Sequence, residues 1–171
     1  MEIFNHYIIP PFPKERKDEF SYNKGLDLFS QGKFEKSIEY FEDEEKSSNN
    51  STLKAVCIFA QGVAYHHLYR YTQALECYQK VIGMENDMQA AQNEAYFNKG
   101  IVLANQEKYD DALTCFERYV EPYTGTGMSQ DLMHIKSFLN KMLGNTRQAN
   151  NYSEQIERKI EKQKQNLTSF E

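Results

Sequence analysis

The sequence predicts an all-α solenoid of about four stacked helix pairs, and three observations predict it. First, four 19-residue stretches agree in their small and apolar residues while their polar residues drift: Asn23 to Phe41 (NKGLDLFSQGKFEKSIEYF), Ala60 to Tyr78 (AQGVAYHHLYRYTQALECY), Asn98 to Phe116 (NKGIVLANQEKYDDALTCF) and Ile135 to Ser153 (IKSFLNKMLGNTRQANNYS). Second, the third place of every stretch is small, namely Gly25, Gly62, Gly100 and Ser137, at separations of 37, 38 and 37 residues. Third, a turn marker (Gly32, Arg70, Lys108 or Gly144) divides each stretch into halves whose apolar residues recur three and four apart.

The first half of each unit is a helix because Gly62, Tyr65 and Tyr69, like Gly100, Leu103 and Glu107, follow one helical face. The second half repeats the device at i and i+4 with Ser37 and Phe41, Ala74 and Tyr78, or Ala112 and Phe116. Such a pair cannot bury its apolar stripe alone, but it can when stacked on its neighbours. The small residue of one helix receives the bulky residue of the next, and each covered aromatic contributes about 1.5 to 3 kcal/mol. Polar residues face water, where many identities serve, so they drift.

These residues resemble the tetratricopeptide repeat family. Its L-G-x2-Y and A-x3-F pattern is met by Gly62 with Tyr65 and Ala74 with Tyr78, and nearly as well by Gly100, Leu103, Ala112 and Phe116. The first unit keeps Gly25, Leu28, Gly32, Phe34, Ser37 and Phe41, whereas the fourth retains only Ser137, Gly144 and Ala149. The resemblance covers residues 18–163, with units near 18–51, 55–88, 93–126 and 130–163, and implies a right-handed superhelix. Two departures stand out. The usual proline is missing apart from Pro122, which comes slightly early, and the units are lengthened to 37–38 residues, as in relatives that act as bacterial sensors of signalling peptides.

The flanks read differently. Residues 1–17 contain IIPPFP, whose prolines favour an extended conformation. From Asn151 to Gln165 charges alternate around Ile156 and Ile160, as expected of a capping helix, and residues 164–171 are expected to fray. Gly125 and Gly127 in YTGTGMSQ predict a loop between units three and four.

With 40% hydrophobic and 26% charged residues and a net charge of −5, the 171-residue chain has the balance of a soluble domain and argues against a nucleic-acid partner. No run approaches the roughly 18 to 20 apolar residues of a membrane span, and the N-terminus lacks a secretory pattern, which predicts a cytoplasmic protein with no membrane partner. Cys57, Cys77 and Cys115 are odd in number and form no CxxC, so buried reduced thiols are expected rather than a disulfide framework or a zinc site. The Asn-x-Ser/Thr triplets at Asn49, Asn50, Asn151 and Asn166 are read as chance.

No catalytic set emerges. His66 and His67 are adjacent, so on a helix they point about 100° apart and cannot chelate one ion. HExxH, GxxxxGK[ST], GxGxxG and GxSxG are all absent. Asp110 and Asp111 suit a helix N-terminus, and the run Glu42, Asp43, Glu44, Glu45 reads as a solvated face. Neither cofactor nor metal is expected, nor enzymatic activity.

Function therefore falls to the concave surface, which the resemblance assigns to the first helix of every unit. The expected partner-binding residues are Tyr22, Asn23 and Leu26 in unit one, Phe59, Val63 and His66 in unit two, Phe97, Asn98, Ile101 and Asn105 in unit three, and Phe138 in unit four. In relatives that grip a C-terminal carboxylate, the matching places carry Lys, Arg and Asn. Here they hold Tyr22, Leu26, Ala60, Glu94 and Asn98, so the resemblance implies no such clamp. The amides of Asn23 and Asn98 suit the backbone of an extended peptide, and the aromatic residues suit apolar anchors. The expected partner is a protein or peptide segment, with a peptide-responsive regulator and a secretion-type chaperone as alternatives. The groove could equally hold the chain's own IIPPFP, and self-association through exposed aromatic residues is a further expectation.

Overall fold

The computed structural model describes residues 20–84, 89–119 and 128–168. Eight helices follow one another among them: α1 (Phe20–Ser30), α2 (Phe34–Ser47), α3 (Ser51–His67), α4 (Tyr71–Ile82), α5 (Gln89–Asn105), α6 (Tyr109–Arg118), α7 (Met128–Met142) and α8 (Thr146–Thr168). Each helix packs on the next in sequence, and α3 also meets α5, so four helix pairs stack into an all-α array.

The glycine register has a direct packing cause. A Cβ built on Gly25 would come within 2.6 Å of the Phe41 ring, one on Gly62 within 2.8 Å of Tyr78, and one on Gly100 within 2.8 Å of Phe116. All three aromatic side chains are fully buried. The glycine lets the second helix of the pair lay its ring against the backbone of the first, at a spacing of 16 residues in every unit. Carried into unit four, that spacing joins Ser137 to Ser153, whose hydroxyls lie 3.2 Å apart. Both hydroxyls also donate to the Ala149 carbonyl, at 3.0 and 3.2 Å. The fourth unit has thus exchanged glycine and aromatic together for a pair of serines.

A second register row closes every first helix. Gly32, Tyr69, Glu107 and Gly144 have φ of +72°, +58°, +61° and +76°, and each is followed by a residue whose N–H bonds back five residues: Lys33 to Leu28, Arg70 to Tyr65, Lys108 to Leu103 and Asn145 to Asn140. This is the Schellman closure that favours glycine, and a side chain there costs about 1 to 2 kcal/mol. Two units satisfy it with glycine. Unit two carries Tyr69, 65% exposed, at that cost.

Local chemistry sets other boundaries. Asn50, part of two chance triplets, is the N-cap of α3, its side chain accepting from the N–H groups of Thr52 (2.9 Å) and Leu53 (3.2 Å). The acidic run ending α2 is not wholly solvated, because buried Gln61 donates to Glu45 at 2.8 Å. No glycine or proline interrupts the chain after Gly144, so α8 continues for 23 residues. The capping expected of 151–165 therefore belongs to α8 itself, and the segment expected to fray is helical as far as Thr168. Residues 1–17 with IIPPFP, Pro122, and the glycines of YTGTGMSQ lie outside the described residues, while Met128 begins α7.

Three buried clusters follow the units. Tyr22, Phe41, Leu53, Val56, Cys57 and Ala60 form the first, and Phe59, Val63, Ala74, Tyr78, Val81 and Val102 belong to the second. The third holds Phe97, Ile101, Ala112, Phe116, Tyr119 and Leu139. All three cysteines are buried, and burial pushes the Cys77 thiol up to about 12.

Gly100→Ala should therefore cost about 1 to 3 kcal/mol by overpacking against Phe116, and Phe116→Leu in the same chain should recover part of that loss. Thermal melts of the single and double variants check both statements.

Candidate functional site

The three first-helix aromatics expected to line a groove sit instead inside their own helix pairs. Tyr22, Phe59 and Phe97 each precede a register glycine by three residues, which puts them on the glycine's face of the helix. Their rings accordingly meet the partner aromatics, Tyr22 with Phe41 at 6.1 Å, Phe59 with Tyr78 at 5.6 Å and Phe97 with Phe116 at 5.4 Å. Val63, His66, Asn98 and Ile101 are equally buried. These seven side chains are buried in the core.

The other four expected residues, Asn23, Leu26, Asn105 and Phe138, are half-buried and keep an accessible face. Leu26 and Phe138 occupy the same repeat row as Val63 and Ile101, so that row opens only in the outer units. Asn105 belongs to a row that stays accessible in every unit, formed by Ser30, His67, Asn105 and Met142 at separations of 37, 38 and 37 residues. Each member lies just before the Schellman turn that closes its first helix. Met142, the apolar member of the row, is 51% exposed.

Aromatic residues at the start of the second helices brace this edge. Phe34 stacks on His67 at 4.5 Å with the rings nearly parallel, and Phe29 meets His67 edge-on at 5.5 Å. In the outer part of the array Tyr109 meets Phe138 edge-on at 6.3 Å. His67 is thereby fixed among rings of unit one, while His66 lies against Tyr71 at 5.6 Å. The two imidazoles enter different packing environments, and no group of three His, Cys, Asp or Glu capable of holding a metal occurs among the described residues.

Burial, with His67 beside it, holds the His66 imidazole down at about 4, so it is neutral at neutral pH. Glu94, on the inward row of α5, is the opposite case: burial raises its carboxyl to about 7, and its Oε2 has no hydrogen-bond partner among the described residues. The raised value of Glu94 was not legible in the sequence, because it depends on the wall of helix around the carboxyl rather than on a neighbouring charge. Of the accessible row only Asn105 was an expected site residue, because its members share no residue type that would mark them as one row.

Hairpins packed through a repeated glycine, with accessible residues running across their turn ends, define a helical-repeat solenoid. More particularly, residues 59–125 match the tetratricopeptide repeat family model, which supports a tetratricopeptide repeat protein, a class of protein–protein interaction module. No curated protein matches the chain significantly. No helix of the described residues is long and apolar enough to cross a membrane.

The two buried titrations oppose each other. Glu94 holds its proton more tightly folded than unfolded, so it adds stability below about pH 4.5 that is lost as the pH rises through about 7. His66 holds its proton less tightly when folded, so its contribution is full above about pH 6.5 and is lost as the pH falls towards 4. Glu94→Gln should match the parent in stability near pH 4 and exceed it at pH 8 by on the order of 1 to 2 kcal/mol, allowing for solvent screening. Melts followed by circular dichroism across that range test this, and a pH-independent difference would show that the carboxyl is solvated.

Proposed function

We propose that the chain is a non-enzymatic interaction module that holds a peptide or helical segment of a partner protein along the turn-end row of its first helices. The observation that carries this reading is the ladder of Ser30, His67, Asn105 and Met142, which stays accessible in all four units while the rows of Leu26 and Asp27, one turn earlier on the same helices, close in the middle of the array. A segment lying along it meets a hydroxyl, an imidazole edge, an amide and a thioether in turn. Asn105 supplies both a donor and an acceptor for a partner's backbone, and Met142 a soft apolar contact. Leu26, Phe29 and Phe138 extend apolar surface at its two ends. With no charged residue in the row itself, apolar anchors provide most of the affinity, and the amide sets the partner's orientation.

The chemistry of the site agrees with binding rather than catalysis. His66 is buried and neutral, and the thiols of Cys77 and Cys115 are raised by burial, so neither is an activated nucleophile.

A photo-crosslinking residue placed at Asn105 or Met142 tests the assignment. It should capture one defined partner segment, identifiable by mass spectrometry of the crosslinked peptides, whereas the same group at exposed Thr114 of α6 should capture none. Equal capture from all three positions would remove the row from the account.

A further inference from the structure

The outer face of the array carries two patches of opposite charge at equivalent places in neighbouring units. Between α4 and α5 lies a cleft of about 640 Å³ lined by Thr72, Leu75, Glu76, Gln79, Lys80, Lys99, Gln106 and Lys108. Leu75 is its half-buried apolar floor, and lysines outnumber acids around it. Lys99 donates to Gln79 at 2.7 Å, while Lys80 and Lys108 form no ion pair among the described residues.

One unit earlier the same positions carry a surplus of acids, with Lys80 against Asp43 the one direct reversal of sign. Thr72, Glu76, Gln79 and Lys80 correspond to Glu35, Glu39, Glu42 and Asp43 on α2, while Lys99 and Lys108 correspond to Gln61 and Arg70. The equivalence is physical as well as numerical. Arg70 at the α3–α4 turn reaches Glu35 in the first turn of α2 at 4.0 Å, just as Lys108 at the α5–α6 turn flanks Thr72 in the first turn of α4. Lys46 bonds to Glu42 at 3.3 Å and Glu45 accepts from Gln61, but Glu39 and Asp43 are exposed and form no ion pair among the described residues. An acidic strip and a basic cleft thus occupy equivalent places one repeat apart.

We propose that this face is the interface of a twofold dimer of the chain. A twofold axis lying in the interface, parallel to α2 and α4 and midway between them, carries the acidic strip of each copy onto the basic cleft of the other. Both pairings form at once, because both patches occur on every copy. Asp43 and the neighbouring acids of one copy meet Lys80 and Lys99 of the second, and Glu35 approaches Lys108. The match is of patch against patch: Glu76 would face Glu39, and Arg70 would face Lys108, so the pairing uses the surplus of each sign rather than a perfect ladder. Association of this kind weakens with salt and sets partner choice more than it sets affinity. It occupies the second helices and leaves free the turn-end row of the first helices.

Charge reversal on the full-length chain tests the proposal by sedimentation. The parent should dimerise at about 0.05 M salt and dissociate at about 0.5 M, where the screening length shrinks several-fold. Lys80→Glu with Lys99→Glu should be monomeric, and so should Glu39→Lys with Asp43→Lys. Mixing those two variants should restore a dimer, since one then carries acid on both patches and the other base on both. Should a reversed chain unfold by circular dichroism, Lys80→Gln with Lys99→Gln should weaken the parent dimer about tenfold. A parent that stays monomeric at low salt, a dimer that survives both reversals, or an acidic peptide such as oligoglutamate filling the cleft of a monomeric parent would each overturn it.

Discussion

The fold depends on one close approach, repeated: an aromatic ring on the second helix of a pair set against a glycine backbone on the first. Gly25 with Phe41, Gly62 with Tyr78 and Gly100 with Phe116 leave no room for a methyl group, so each glycine is held by sterics rather than by conformational need. That approach sets how deeply the two helices of a pair interlock. It also recruits Tyr22, Phe59 and Phe97, one turn before each glycine, into the same contact. The buried clusters grow outward from these rings, each covered ring contributing about 1.5 to 3 kcal/mol.

Fixing the helices in this way decides which surfaces remain for partners. The face that carries the glycine is consumed by packing, and the inward residues of the middle units, Val63, His66, Asn98 and Ile101, are consumed with it. What stays open is the row at the turn ends and the outer face of the second helices. The first is nearly uncharged and suits apolar and amide contacts. The second is divided into acidic and basic patches by nothing more than the choice of residue at equivalent repeat positions, which packing does not constrain. Repetition thus holds the framework constant while leaving these two surfaces free to differ from unit to unit.

Much of the fold could be read before the structure, because steric need leaves a periodic trace. Gly25, Gly62 and Gly100, Ala74 and Ala112, and the turn row beginning at Gly32 all recur at 37 or 38 residues, and each recurs for a packing or backbone reason. The candidate site was less legible. Counting an inward face from the glycine register placed Tyr22, Phe59 and Phe97 in the groove, although residues three apart share a face and the rings had to follow their glycines inward. Asn105 and Leu26 keep an accessible face because their rows reach the turn end or the outer units. The tetratricopeptide repeat likeness of unit four faded in the sequence because Ser137 and Ser153 replace glycine and aromatic together, a paired exchange that a residue-by-residue pattern scores as two losses. The pKa of Glu94 left no sequence trace, since burial is a property of the assembled wall.

That paired exchange offers the most direct test of the central contact. If the small residue and the ring form one unit of packing, Ser153→Phe alone should destabilise the fourth pair by about 1 to 3 kcal/mol through its clash with Ser137. Ser137→Gly alone should also cost stability, through the lost hydroxyl contacts. Together the two substitutions should rebuild the arrangement of units one to three, and the double variant should be at least 1 kcal/mol more stable than the sum of the single effects predicts, the size expected of directly coupled neighbours. A chemical-denaturation double-mutant cycle measures this, and additive effects would contradict the account.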